Sequence, residues 1–261
     1  MINHLINWSV RCVIIIVIVA STIILVRAFD SRRLPDLKIW HRPVLESEFS
    51  ATDGDQISSL EEYLKLEDRL FTELNNNIYE KLSPEEKLPL SRYTTGSPVD
   101  PEKYSQNWNR SFELIPENMR GGVLMLHGLT DSPYSMRHLA DIFEAQGFYV
   151  LCLRMPGHGT IPSALLRATW PDWMAVTRLG ARQVRNKVGE KFPFYIVGYS
   201  NGGALTVKYI MEALEDENLP MPGRVFGCLI SKNSAGSIFI LNMIPSSTTP
   251  FPSLPVNNHT C

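Results

Sequence analysis

Read from its amino end, the chain opens on an unbroken apolar run, Cys12 to Val26 (CVIIIVIVASTIILV), bracketed by Arg11 and Arg27. A strand rarely runs this long, and a soluble helix would interrupt it with a polar face. The run falls somewhat short of the ~20 residues that span a bilayer. Trp8 at one edge and snorkelling arginines can supply the missing length. The expectation is a single-pass membrane anchor within residues 1–28. Two alternatives stay open: a core helix, and a signal peptide cleaved near Val26-Arg27-Ala28, where small residues flank the break. Arg27, Arg32, Arg33 and Lys38 outnumber Arg11 and the amino terminus, which favours a cytoplasmic body for the anchor. Cleavage would instead leave the body secreted or periplasmic.

From residue 29 to 90 the pattern loosens. Asp30 to Gln56 is mixed, carries Pro35 and Pro43, and reads as a linker. Ser59 followed by Glu62 is the spacing of a capping box and predicts a helix start. Leu60, Tyr63, Leu64, Leu70, Phe71, Leu74 and Ile78 then fall mostly on one face, as in a helix packed against a larger body, and Ser83-Pro84 ends it.

From Met119 onward short apolar runs alternate with amphipathic segments. Strands are predicted at Val123 to Leu126, Phe148 to Leu153, Phe194 to Val197 and Val225 to Ile230. Helices are predicted at Ser132 to Gln146, Trp170 to Val188 and Asn201 to Leu214, the first with Leu139, Ile142 and Phe143 inward and Gly147 closing it. This alternation means parallel βαβ units and a sheet covered on both faces. Such sheets gather their active loops at the carboxyl ends of the strands. After Ser231 the composition shifts. Residues 232–261 are rich in Ser, Thr, Pro and Asn around one apolar patch, Ile238 to Ile244, and Pro245, Pro250, Pro252 and Pro255 predict an irregular tail.

Composition narrows the possibilities without choosing among them. Net charge is −2, which excludes a strongly basic nucleic-acid binder. Hydrophobic residues make up 44%, enough for a sizeable core. Cys12, Cys152, Cys228 and Cys261 form neither a zinc spacing nor a disulfide framework, and Cys152 and Cys228 lie in predicted strands as packing residues. No metal cluster, phosphate-binding loop or other cofactor motif appears, so no cofactor is expected. Asn109-Arg110-Ser111 and Asn258-His259-Thr260 match a glycosylation pattern that recurs by chance.

The chemistry concentrates at the predicted strand ends. Gly198-Tyr199-Ser200-Asn201-Gly202 follows a strand and opens a helix, which is the context a G-x-S-x-G nucleophile elbow requires. A turn that sharp strains the serine backbone, and Gly198 and Gly202 must be small because their backbones nearly touch. The hydroxyl of Ser200 then stands at a helix amino terminus, where partial positive charge favours a developing anion. His127-Gly128-Leu129-Thr130 ends the Val123 strand, where a loop can offer the Leu129 amide as one oxyanion donor, with the Asn201 amide as the other. Each such donor is worth roughly 3 kcal/mol in the transition state. Arg154-Met155-Pro156-Gly157-His158-Gly159 makes a rigid loop beside them. His127 and His158 both precede the serine and read as bracing residues.

Together with Trp170-Pro171-Asp172-Trp173, these motifs resemble the α/β-hydrolase superfamily, in its esterase, monoacylglycerol lipase-like and serine aminopeptidase-like branch. The resemblance covers roughly residues 91–231. It implies a doubly wound, mostly parallel sheet and a triad in the order serine, acid, histidine, with Ser200 as nucleophile. The chain departs from that pattern downstream. No Asp or Glu follows Glu217, and Glu212, Glu215, Asp216 and Glu217 lie at or beyond the end of the serine's own helix. His259, the one histidine after Ser200, sits in the irregular tail. Neither a triad acid nor a triad histidine is identified, and the core is expected to lack its last strands, leaving an open sheet edge. The expected organisation is a membrane or signal segment (1–28), a linker with a helix (29–90), an incomplete hydrolase core (91–231) and a tail (232–261). The expected function is a membrane-anchored serine hydrolase acting on a small-molecule acyl ester. The alternative is a membrane-tethered remnant or binding module without catalysis.

Overall fold

The computed structural model describes residues 2–32, 36–53, 57–230 and 238–243, and among them the side chains outside 2–7, 53, 227–230 and 238–243. The chain divides into two compact units, Met1–Lys38 and Ile39–Cys261. The first is a single helix, α1 (Ile2–Ser31). Its apolar span runs from Trp8 to Ser31, 24 residues with none of the window buried. At about 1.5 Å per residue this exceeds the ~30 Å of a bilayer's hydrocarbon core. The helix is therefore longer than the run Cys12 to Val26 suggested, because Arg27 and the flanking residues continue it.

The second unit is built on a six-stranded sheet in the order β1-β3-β2-β4-β5-β6. The strands are β1 (Phe112–Leu114), β2 (Gly121–Leu126), β3 (Phe148–Leu153), β4 (Phe194–Tyr199), β5 (Arg224–Ile230) and β6 (Ile238–Met243). The four central strands are parallel, and β1 and β6 pair antiparallel at the two edges. Period-two alternation divides the core. Val123 and Met125 of β2 join Val150 and Cys152 on one face; Leu124 and Leu126 join Leu151 and Leu153 on the other. Helix α3 (Arg137–Ala145) covers the first face; α4 (Trp170–Val188) and α5 (Asn201–Glu215) cover the second, with α2 (Leu60–Leu74) packed into the same cluster. This is the doubly wound α/β arrangement.

Four local expectations are corrected. The segment Ser132 to Gln146 is a 3-10 turn (Pro133–Met136) followed by α3, and Met136, Ala140 and Phe143 supply its inward stripe. Leu139 and Ile142, expected inward, are exposed: at 3.6 residues per turn both fall to one side of the stripe formed by Met136, Ala140 and Phe143, Ile142 farther from it than Leu139. The stretch read as a linker packs from Ile39 onward: Leu45 and Phe49 are buried. The tail expected to be irregular contributes β6, which pairs along β5 from Val225↔Met243 to Ile230↔Ile238. The edge of β5 is thus covered rather than open. A hydrophobic patch of six residues needs only one neighbour to become an edge strand, and the prolines lie outside it.

Candidate active site

The order β3-β2-β4 carries the site. From β2 the chain moves to β3 on one side, then returns past β2 to β4 on the other. The loops leaving β2 and β4 therefore diverge at the point where the winding reverses, and such a point leaves a crevice beyond the carboxyl ends of the strands. The register Leu126↔Gly198 places the loop that begins at His127 beside the turn at Ser200.

That turn is strained. Ser200 has φ 52° and ψ −113°, and it is the single non-glycine residue at positive φ among those described. Holding a side chain there costs on the order of 1–3 kcal/mol. The glycines around it are demanded by contact. A Cβ on Gly198 would collide with the Gly202 carbonyl, and a Cβ on Gly202 with the Leu126 carbonyl. A Cβ on Gly128 would stand 3.5 Å from that of Ser200, which fixes how closely the His127 loop approaches the serine. The Ser200 hydroxyl makes no capping bond to α5. Asn201, first residue of α5, carries one of the N–H groups that a helix leaves unpaired at its start. The Leu129 N–H donates to no backbone acceptor among the described residues.

The histidines nearby are committed elsewhere. His127 is fully buried; its Nε2 accepts from the Met155 N–H at 3.0 Å, so Nδ1 carries the proton and donates to the Gly128 carbonyl at 2.9 Å. Burial, reinforced by His158, pushes its pKa down to about 3. His158 turns Nδ1 to the carbonyls of Pro156 and Met155, and Nε2 to the Leu129 carbonyl at 2.6 Å. Burial lowers its pKa, against the carbonyl contacts, which favour the charged ring. The His127 loop and the Pro156–Gly159 loop are thereby tied together. Trp173, at the start of α4, adds a bond from Nε1 to the Pro156 carbonyl at 2.9 Å.

The acids after the serine lie far from it. Glu212 and Glu215 lie in the last turn of the 15-residue α5 and Asp216 and Glu217 just beyond it, about 20 Å along the axis from Ser200. Glu212 is bound by Arg178 at 2.7 and 2.9 Å and by Lys208, and the Arg178 bonds hold its carboxyl below the usual range. His259 lies outside the described residues. No group of His, Cys, Asp or Glu suited to a metal occurs among the described residues. Asn109 and Ser111 of the first glycosylation pattern are engaged: Asn109 Oδ1 accepts from Ser132, and the Ser111 hydroxyl donates to Glu67. The second, at Asn258, lies outside the described residues.

One constellation escaped the sequence reading. Arg154, 1% exposed, bonds Glu48 through Nη1 and Nη2 at 3.1 and 2.8 Å and Glu67 through Nε at 3.2 Å. Glu67 also accepts from the Ser111 N–H and hydroxyl, both at 2.8 Å, and Tyr63 donates to the Arg154 carbonyl at 2.6 Å. This buried network ties the stretch before α2, and α2 itself, to the end of β3. A signal was present: Glu67 falls on the stripe of Tyr63, Leu70 and Leu74, and a charge on an inward stripe needs a buried partner.

A family profile described as serine aminopeptidase, S33, matches residues 117–223. A thermostable monoacylglycerol lipase from Bacillus sp. (strain H-257) is 38% identical over 96 residues, 37% of each chain. Over residues 117–223 the chain is similar to the α/β-hydrolase superfamily. The chain spans well under half the length of that curated relative. Among solved structures it is similar to one described with LipS and LipT, two metagenome-derived lipolytic enzymes, at 31% identity, 46% of this chain, 45% of that one and TM-score 0.41. It is also similar to a soluble variant of the monoglyceride lipase of Saccharomyces cerevisiae, at 18% identity, 45% and 38% coverage and TM-score 0.39.

Proposed function

We propose that this chain is a membrane-anchored serine hydrolase for carboxylic, lipid-like acyl esters, with Ser200 as nucleophile. The observation that supports it most is the positive φ of Ser200 at a strand-to-helix turn, because a protein holds a non-glycine residue there at a cost only when the position does something. In the proposed reaction the Ser200 oxygen bonds to the ester carbonyl carbon, and the carbonyl electron pair moves onto its oxygen, facing the amides of Leu129 and Asn201. Collapse expels the alcohol, which takes up the proton released by Ser200; water then repeats the sequence on the acyl-enzyme. The apolar span Trp8–Ser31 is long enough to act as the anchor, which would hold the site near a greasy substrate.

A second reading is favoured by a specific observation. His127 and His158 both have their ring nitrogens engaged, so neither is free to take the serine's proton. On that reading the fold is a membrane-tethered module that binds acyl ligands without turning them over. A fluorophosphonate probe on the purified chain separates the two. Rapid labelling that disappears in Ser200→Ala supports the hydrolase; a folded chain that resists the probe supports the module.

A further inference from the structure

A group of exposed leucines flanks the point at which the chain enters the second unit. That unit begins with a 3-10 turn, Ile39–His41. Two loops hold the turn. On one side the Ile39 N–H donates to Glu86 Oε1 at 3.3 Å, which ties it to the loop that continues through Leu88 and Leu90. On the other the turn packs against a second 3-10 turn, Pro162–Leu166, and the Ser163 hydroxyl donates to the Pro43 carbonyl at 2.9 Å. Apolar side chains point outward here: Leu90 is 76% exposed and Leu166 87%, with Leu88 and Val44 also exposed. The interior does not need them, since Ile161 and Ala164 close it by packing with Leu45, Ile39 and Trp40. Single exposed leucines are common, but several on two loops that grip the same three residues form a patch, and a patch calls for a partner.

The partner follows from what precedes the patch. The apolar helix α1 ends at Ser31, and only Arg32 to Lys38 separate it from Ile39. Fully extended, that segment reaches about 28 Å. With α1 in a bilayer, this length keeps the leucines around Ile39 beside the lipid surface, and even a weakly inserting patch then meets lipid at high effective concentration. Cations stand next to the leucines in sequence: Lys87 precedes Leu88 and Arg167 follows Leu166, both exposed. Leucines that enter the acyl boundary while neighbouring cations stay at phosphate level are the pattern of interfacial segments. Glu46, 3.8 Å from Arg167, and Glu85 offset the charge, so the leucines rather than attraction to anionic lipid carry the contact.

We propose that the face carrying Val44, Leu88, Leu90 and Leu166 docks on the surface of the phospholipid bilayer and fixes how the second unit meets the membrane. The proposal rests on the reading of α1 as an anchor. It bears on the site as well: Leu165, next to Leu166, and Leu129 line the same cavity, and the preceding Gly128 lies against Ser200. The docked face therefore brings the loop beside Ser200 to the lipid, and an acyl ester would leave the bilayer close to the serine.

The test uses the full chain in phosphatidylcholine vesicles. An environment-sensitive fluorophore is attached at an added cysteine, Leu166→Cys, Leu90→Cys or, as a distant control, Glu190→Cys, and the unsubstituted chain taken through the same labelling is the blank. Glu190 is exposed and precedes β4, at the opposite end of the sheet from the site. Doxyl groups on the lipid chains quench labels that reach the acyl region. Quenching at positions 166 and 90 is expected to exceed that at 190 by about threefold or more, and to persist when salt is raised to about 0.5 M. Leu166→Asp in the chain labelled at position 90 should lower its quenching toward the control; Leu166 is exposed, so the fold does not depend on it. Equal quenching at the three positions, quenching lost in high salt, or a shielded label that doxyl lipid fails to quench, as a second copy of the chain would produce, would overturn the docking face. Flotation after an alkaline wash reports on the anchor separately: a chain that floats with equal quenching keeps the anchor and removes the docking, whereas a chain that no longer floats removes both.

Discussion

At the scale of single residues, strain and burial make opposite demands. Ser200 sits where a glycine would rest comfortably, so Ser200→Gly should raise stability by about 1 kcal/mol while abolishing probe labelling. Ser200→Ala should abolish labelling with little change in stability, because its Cβ keeps the strain. Urea unfolding of both variants checks the pair; a destabilised glycine variant would mean the turn is not strained. His127 makes a second case. Its folded pKa of about 3 lies below the ordinary value of 6.5, so the folded state resists a proton that the unfolded chain accepts. Its contribution is complete above pH 6.5 and is lost as pH falls toward 3, with about 2 kcal/mol gone at pH 5. The slope of stability against pH in that window should flatten in His127→Gln, even though that variant is less stable at pH 7.

At the scale of elements, the helix starts show how much depends on what a cap also touches. Helix α2 begins with a complete capping box between Ser59 and Glu62, exposed to solvent. Ser59→Ala should cost about 1 kcal/mol. Helix α4 begins with Thr169 and Asp172, but Asp172 is buried. Its Oδ2 accepts the Thr169 N–H and hydroxyl at 2.7 and 2.6 Å, and its Oδ1 accepts the Ala51 N–H at 2.6 Å. Removing it would leave the part-buried Ala51 amide unpaired as well as uncapping the helix. Asp172→Ala is therefore expected to cost about 2–3 kcal/mol, roughly twice or more the loss at Ser59, in matched thermal melts.

At the scale of the whole molecule, the buried charge network decides how the segment before the sheet is held. Arg154 is enclosed by Glu48 and Glu67, contributed from two stretches far away in sequence. Taking away one partner leaves a charge without compensation in the interior, which costs about 3–5 kcal/mol. Glu67→Leu should show that loss in urea unfolding. Glu61→Gln, which breaks only the exposed pair with Lys65, should change stability by less than about 0.5 kcal/mol. Comparable losses in the two would mean that the network does not hold α2 against β3.

Local pattern determined a good deal of this protein. The apolar runs at Val123, Phe148, Phe194 and Val225 became the parallel strands because a strand buried on both faces must be apolar throughout. The glycine spacing around Ser200 anticipated the tight turn, since only residues without a side chain permit that approach. Other features were decided by long-range packing. The three residues of β1 carry too short a pattern to be seen, and β6 exists only where β5 offers an edge to pair with. The partners of Arg154 and the commitment of both histidines to backbone groups bring together residues separated by long stretches of chain. Hydrophobic period follows from neighbours along the chain, whereas the pairing of buried polar groups depends on which distant segments the fold brings within hydrogen-bond reach.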